Sequence, residues 1–260
     1  MKAWMLNNID EFNFYEDVPI PDINSDEVLL KVKAAGICGS DVPRVYKNGA
    51  HNMPLIIGHE FAGIVEKAGS SDNKYLVGKH VGVFPLIPCK KCPACLSKRY
   101  EMCSNYSYLG SRINGGFAEY VSVPAWNLIE IPDSITFEQA AMLEPMAVSV
   151  HAIRQLNLRK DDNVLVCGAG TIGQLIVIFL LEAGIKNVYV LGTKTFHREI
   201  LKKIGLPEHN FYLVKDTNQK DLVDFYMSAT HSNGIDAYFE CVGKNDTISQ
   251  GIDIVNPGGS

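Results

Sequence analysis

The sequence predicts an α/β protein in two parts, a β-barrel-like first half followed by a doubly wound parallel sheet. Three observations predict this. The first half is a series of short β-like runs punctuated by Gly and Pro, the texture of a compact barrel. After Asp162 strand-like and helix-like runs alternate, as parallel strands joined by crossover helices require. A glycine-rich segment, Gly168-Ala169-Gly170-Thr171-Ile172-Gly173, follows one of those strands and opens a helix-like run.

In chain order, Val28–Val32, Gly63–Lys67 and Phe117–Val121 read as strands of the first part. Near residue 140 the character changes, and Phe137 to Leu156 reads as helical. Val164–Cys167 is a buried-strand candidate, and Thr171 to Ala183 the helix after it. Val188–Leu191 and His197–Ile204 form the next strand and helix. Phe211–Val214 and Ile235–Glu240 add two strands, with a helical stretch near Asp221 to Ala229 between them. The last residues, Val255 to Ser260, read as a turn that should launch another strand, which suggests a shortened chain.

A length of 260 residues admits two modest domains, and 47% hydrophobic with 20% charged residues is ordinary for a folded chain. A formal net charge of -5 argues against broad binding to nucleic acid or an anionic membrane, so neither partner is expected. The start lacks a secretory signal and the apolar run Leu175 to Leu181 is too short for a bilayer, so a cytoplasmic protein is expected.

Four of the seven cysteines, Cys89, Cys92, Cys95 and Cys103, fall within fifteen residues at the spacing C-x2-C-x2-C-x7-C. In a chain with no export signal such clustering favours a metal over disulfides. Four thiolates fill a tetrahedral zinc site, which then has a structural role and no open position. Lys90, Lys91, Lys98 and Arg99 surround this loop.

A second metal-like set lies earlier, in Gly36-Ile37-Cys38-Gly39-Ser40-Asp41 and Gly58-His59-Glu60. A thiolate, an imidazole and one carboxylate leave room on zinc for a substrate oxygen, and the ion then acts as a Lewis acid. Singly, Cys38 reads as a small core residue, His59 as a satisfied core histidine and Glu60 as a surface charge.

Together with the cysteine lobe and GAGTIG, in this order, these segments resemble the zinc-dependent medium-chain dehydrogenase family. The resemblance implies a GroES-like catalytic domain over residues 1–145, with a structural zinc lobe at 85–105. A Rossmann dinucleotide-binding domain over 146–260 would follow, its last strands absent. It implies two zinc ions per chain. Cys38 and His59 would be ligands of the catalytic one, with Glu60 and Glu144 (in Leu143-Glu144-Pro145) reaching it directly or through water. Ser40 resembles the hydroxyl that passes the substrate proton to solvent. The resemblance also implies a homo-oligomer formed through the last strands of the nucleotide sheet, which are expected to be missing here, so assembly of this chain is in doubt.

A closer resemblance is to the galactitol-1-phosphate 5-dehydrogenases, carried by Cys38–Arg44, Lys47–His51, Pro85–Cys89, Gly110–Arg112 and Gly115–Tyr120. It implies oxidation of a polyol phosphate to a ketose phosphate. Phosphate calls for cationic forks, and Arg44, Lys47 and Arg112 are the candidates, with solvated surface charge as the ordinary alternative for each. An unphosphorylated polyol or other secondary alcohol, or a zinc-bound module without turnover, are the competing readings.

Gly168, Gly170, Thr171, Ile172 and Gly173 have the strand before and the helix after that a pyrophosphate site needs. The second strand of such folds usually ends in the acid that holds the ribose 2′-hydroxyl of NAD. Here it runs into Gly192-Thr193-Lys194 with no acid, and Lys194, His197 or Arg198 could attract a 2′-phosphate. NADP(H) is therefore expected over NAD(H). Cys167 and Cys241 read as core, and His80, His151, His209 and His231 are given no role.

Overall fold

The computed structural model describes residues 1–214, 219–230 and 233–260. It contains two compact units, Met1–Glu144 and Pro145–Ser260; His231 lies outside the described residues.

In the first unit the chain builds a five-stranded antiparallel sheet. Its order is Leu128–Glu130, His80–Val83, Glu60–Ala68, Glu27–Gly36, Tyr120–Pro124. Alternation explains strand Glu27–Gly36: Val28 and Leu30 are buried while Lys31 and Lys33 are exposed. They pack with Phe61, Val65, Val81, Val83, Val121 and Val123. A three-stranded sheet (Glu11–Tyr15, Ala3–Asn8, Leu55–Ile56) and a two-stranded one (Leu86–Ile87 with Ser107–Tyr108) complete the unit.

Two expectations shift. The strand expected at Phe117 begins at Tyr120. The preceding backbone is used elsewhere: Gly115, Gly116 and Phe117 donate to the carbonyls of Ile56, Gly58 and Ile57, and Glu119 to that of Lys2. The helical run from Phe137 divides into Phe137–Ala141 and Leu143–Arg154. Pro145 has no N–H for the carbonyl of Ala141 and its ring crowds it, so the first helix stops and a new one starts with the proline in its first turn. The first helix opens on a capping box, with Thr136 Oγ1 accepting from the Gln139 N–H and Gln139 Oε1 from the Thr136 N–H.

The second unit is a four-stranded parallel sheet in the order Phe211–Leu213, Asn187–Gly192, Asn163–Cys167, Ala237–Glu240. Every residue of Asn163–Cys167 is buried, as a central parallel strand covered on both faces should be. The period of two sorts its side chains into separate cores. Val164, Val166, Val188, Val190, Ala237 and Phe239 pack on one face, and Leu165, Cys167, Tyr189 and Leu191 on the other. Helices Thr171–Glu182, Thr195–Lys203, Gln219–Ala229 and Asn245–Ile254 follow the four strands. The last of these was not anticipated from the sequence. The strand order reverses between Asn163–Cys167 and Ala237–Glu240, which opens a crevice at their carboxyl ends. Beyond it Ser260 lies along the outer edge of Ala237–Glu240, donating to the Asp236 carbonyl at 3.0 Å and accepting from the Tyr238 N–H at 2.9 Å. Among the described residues no helix is long and apolar enough to cross a membrane.

Candidate functional site

Strand register brings the first metal-like set together. Gly36 ends one strand directly opposite Glu60, which begins the next. Cys38 therefore turns off the sheet beside His59 and Glu60. Two missing side chains make the room. A Cβ on Gly36 would stand 2.4 Å from Glu60 Oε2, and one on Gly58, whose φ is +95°, would stand 2.4 Å from the Phe117 ring. Ligand atoms of Cys38, His59 and Glu60 all lie within 4.8 Å of one another.

Burial dominates the electrostatics of this trio. Burial pushes the Cys38 thiol up, with Ser40 pulling it back. Burial likewise raises the Glu60 carboxyl, against the pull of His59. His59 is 5% exposed, and its buried Nδ1 has no hydrogen-bond partner. Asp41, 3% exposed, supports all of this. It accepts from the Cys38 N–H at 3.0 Å, pairs with the Arg44 guanidinium and stands 3.6 Å from His59 Nδ1. At that separation Asp41 sets a negative charge beside the imidazole without hydrogen-bonding it. The sequence reading gave Asp41 no role; the signal available was an acid three residues before Arg44 in a segment already under suspicion.

Glu144 stands apart from that trio and accepts a hydrogen bond from the Tyr108 hydroxyl at 3.0 Å. Burial, then the Glu144 charge, raises the Tyr108 phenol far above its ordinary value, so it remains a donor. A cavity of about 700 Å³ opens beside the trio, with Ser40, Arg44, His51, His59, Tyr108 and Ser111 on its wall. Of the three phosphate candidates only Arg44 lines it. Lys47 is exposed. Arg112 stacks on Tyr106 at 4.4 Å, its Nε buried without a partner.

The four lobe cysteines also converge within 4.8 Å. Cys89 and Cys95 sulfurs are 4.0 Å apart, and those of Cys92 and Cys103 3.9 Å. Zinc–sulfur bonds of about 2.3 Å give a tetrahedron with edges of about 3.8 Å, so the cage fits that ion. Backbone N–H groups of Cys95 and Ser104 lower the Cys92 thiol to about 6, while burial lifts Cys95 to about 12. Trp126 packs on Tyr100 at 5.1 Å, with the Lys90 ammonium 5.3 Å from its ring centre.

In the second unit each glycine of GAGTIG has its own reason. Gly168 adopts φ +103° and lies against the Cys241 backbone. Gly170 precedes helix Thr171–Glu182 with open space around it and no side-chain cap, leaving first-turn N–H groups of Thr171 and Ile172 free for an anion. A Cβ on Gly173 would stand 1.8 Å from the Gly168 carbonyl oxygen. Gly173→Ala is therefore expected to cost about 1–3 kcal/mol by overpacking, lowering Tm by up to roughly 10 °C and weakening nucleotide binding. A thermal melt with a nucleotide titration checks this; unchanged affinity would refute the close-packing account.

A pocket of about 820 Å³ at the crevice is lined by Gly168, Gly170, Gly192, Thr193 and His197. Gly192 is enclosed, since a Cβ there would stand 2.5 Å from the Phe211 ring. Lys194 precedes helix Thr195–Lys203, and Arg198 on that helix keeps a buried Nε without a hydrogen-bond partner. The sequence reading missed the far wall, formed by Lys244, Thr247 and Gln250. Glu240 shapes it by accepting from the N–H groups of Val242 and Gly243 and the hydroxyl of Thr247.

Residues 24–133 match the alcohol dehydrogenase GroES-like domain and residues 171–260 the zinc-binding dehydrogenase domain. The chain belongs to the zinc-dependent medium-chain dehydrogenase family. It is 37% identical to galactitol 1-phosphate 5-dehydrogenase of Escherichia coli K12 over 77% of its own length and 58% of that protein's. It is 32% identical to sorbitol dehydrogenase of Bacillus subtilis over its whole length and 73% of the relative's. The chain thus spans little more than half of the first of these relatives. Galactitol-1-phosphate dehydrogenase from Escherichia coli superposes with a TM-score of 0.88 at 32% identity, covering 99% of this chain and 73% of that one. A Sinorhizobium meliloti putative zinc-binding dehydrogenase bound to NADP gives 0.87 at 30% identity, covering 99% and 74%. An Escherichia coli alcohol dehydrogenase complexed with NADH gives 0.88 at 29% identity, covering 100% and 74%.

Proposed function

We propose that this chain catalyses the reversible oxidation of a secondary alcohol on a polyol phosphate, of the galactitol 1-phosphate to tagatose 6-phosphate type. The observation that carries the reading is the convergent trio Cys38, His59 and Glu60, whose His59 lines a cavity that also presents Arg44. Zinc there would supply Lewis acidity that makes a substrate hydroxyl acidic near neutral pH, and a nicotinamide would take the hydride.

The chain's own residues do the rest. Cys38, His59 and Glu60 would hold the catalytic ion, with Asp41 fixing the Cys38 backbone, and Cys89, Cys92, Cys95 and Cys103 the structural one. Ser40, exposed on the cavity wall, would pass the alcohol proton towards solvent. Arg44 presents a cationic fork to the substrate phosphate, with Lys47 and Arg112, which do not line the cavity, as the other candidates. Gly168, Gly170 and the first turn of helix Thr171–Glu182 would receive the pyrophosphate.

NADP(H) is the proposed cofactor. Gly192 leaves no acid to repel a 2′-phosphate, and Lys194 and Arg198 stand where the chain turns into the next helix. Arg198→Ala is expected to reduce NADPH preference about 10- to 100-fold, the loss of one charge-assisted hydrogen bond of about 1.5–3 kcal/mol. Equal KM ratios for NADPH and NADH before and after the change would rule Arg198 out.

The decisive assay is reduction of tagatose 6-phosphate by zinc-replete protein, with NADPH and NADH side by side. Turnover that weakens strongly when the phosphate is removed supports the reading. Equal turnover of unphosphorylated ketoses would favour a second reading, a dehydrogenase of free polyols. The observation behind that alternative is the engagement of Arg44 with Asp41, which leaves the cavity few uncommitted cations. No turnover with either cofactor would point to a zinc-bound module.

A further inference from the structure

We propose that Tyr108 is a positioning residue that holds Glu144 away from the Cys38–His59–Glu60 trio and so decides which carboxylate reaches the ion. This rests on reading those three residues as metal ligands. Glu144 is close enough to the trio for its charge to add to the burial that raises the Glu60 carboxyl. Among the described residues, Glu60 is the carboxylate with an oxygen within 4.8 Å of both the Cys38 sulfur and a His59 nitrogen. Glu144 instead accepts from the Tyr108 hydroxyl at 3.0 Å.

The donor is anchored more firmly than an ordinary side chain. Tyr108 pairs with Leu86 in the two-stranded sheet, and its carbonyl receives the N–H groups of Arg112 at 2.9 Å and Ile113 at 3.2 Å. Its ring stands edge-on to His59 at 5.9 Å between centroids. Glu144 lies in the first turn of helix Leu143–Arg154. A rigid donor facing a first-turn carboxylate fixes that carboxylate's rotamer. Thiolate, imidazole and one carboxylate leave a tetrahedral ion one open position, and a second carboxylate would fill it. Tyr108 thereby keeps that position free for substrate.

The test exchanges cobalt into this site while zinc stays in the cysteine lobe, and reads the visible absorption of the full chain. Tyr108→Phe, which removes one oxygen, should shift the visible bands as the Glu144 carboxylate takes the fourth position in place of water. Glu144→Gln alone should leave the wild-type spectrum in place, and adding it to Tyr108→Phe should restore that spectrum. Identical spectra for wild type and Tyr108→Phe would overturn the proposal, as would a shift that persists in the double variant. A misfolded Tyr108→Phe chain cannot imitate the expected result, because restoration by Glu144→Gln would not follow. Cobalt absorption in the wild type that Cys38→Ser does not diminish would overturn the ligand reading itself, and the role of Tyr108 with it.

Discussion

His59→Ala should lower kcat/KM for ketose-phosphate reduction by about a thousandfold or more while leaving the chain folded. A Lewis acid contributes several kcal/mol to such a transition state, and each 1.4 kcal/mol is roughly a factor of ten. The fold should survive because Asp41 keeps the Cys38 N–H and the Arg44 guanidinium after the imidazole is gone. The hole left behind is small and opens on the cavity. Measuring turnover, metal content and a melt on one preparation separates chemistry from folding. Activity within tenfold of wild type, from protein retaining only the lobe metal, would remove the trio from the mechanism.

The second large effect concerns stability. Cys95→Ala, or removal of metal by a chelator, should destabilise the first unit by roughly 4 kcal/mol or more, the range in which loss of a structural metal falls. Cys95 is 5% exposed and Cys103 4%, so three thiolates left without their ion would face one another in a poorly hydrated loop. The expected fall in Tm is about 10 °C. Trp126 reports the change directly, since Tyr100 and Lys90 from the lobe pack against its ring. Its emission should shift when the lobe opens. A chelated protein with unaltered Trp126 emission and Tm would show that the cage needs no ion.

Much of this was legible beforehand where local chemistry and local geometry coincide. Cys89 to Cys103 signal their own convergence because the spacing is short. Val164 to Cys167 announces a central strand because burial on both faces demands an unbroken apolar run. The trio was legible only as a pattern, since strand register, not sequence distance, sets Gly36 opposite Glu60. Asp41 was missed because a buried acid is indistinguishable in sequence from a solvated one until Arg44 and His59 are seen around it. Helix Asn245–Ile254 was missed for a related reason. Nothing in the sequence marks Lys244, Thr247 and Gln250 as one polar side, and only the crevice shows why they are polar. The phosphate cations were least legible, because the reach of a long side chain depends on what already holds it.

The division of strand Asn163–Cys167 between two cores has a consequence for how this chain can change length. Adding or deleting one residue inside it would flip the side chains on one side of the change to the opposite face, mixing the occupants of the two cores. A change of two residues restores the parity. Substitution is therefore the main route by which this strand can vary, and the same arithmetic protects the spacing between its end and Gly168. Length variation is pushed to the helix-to-strand connections at the opposite ends of the strands, since the strand-to-helix connections line the crevice.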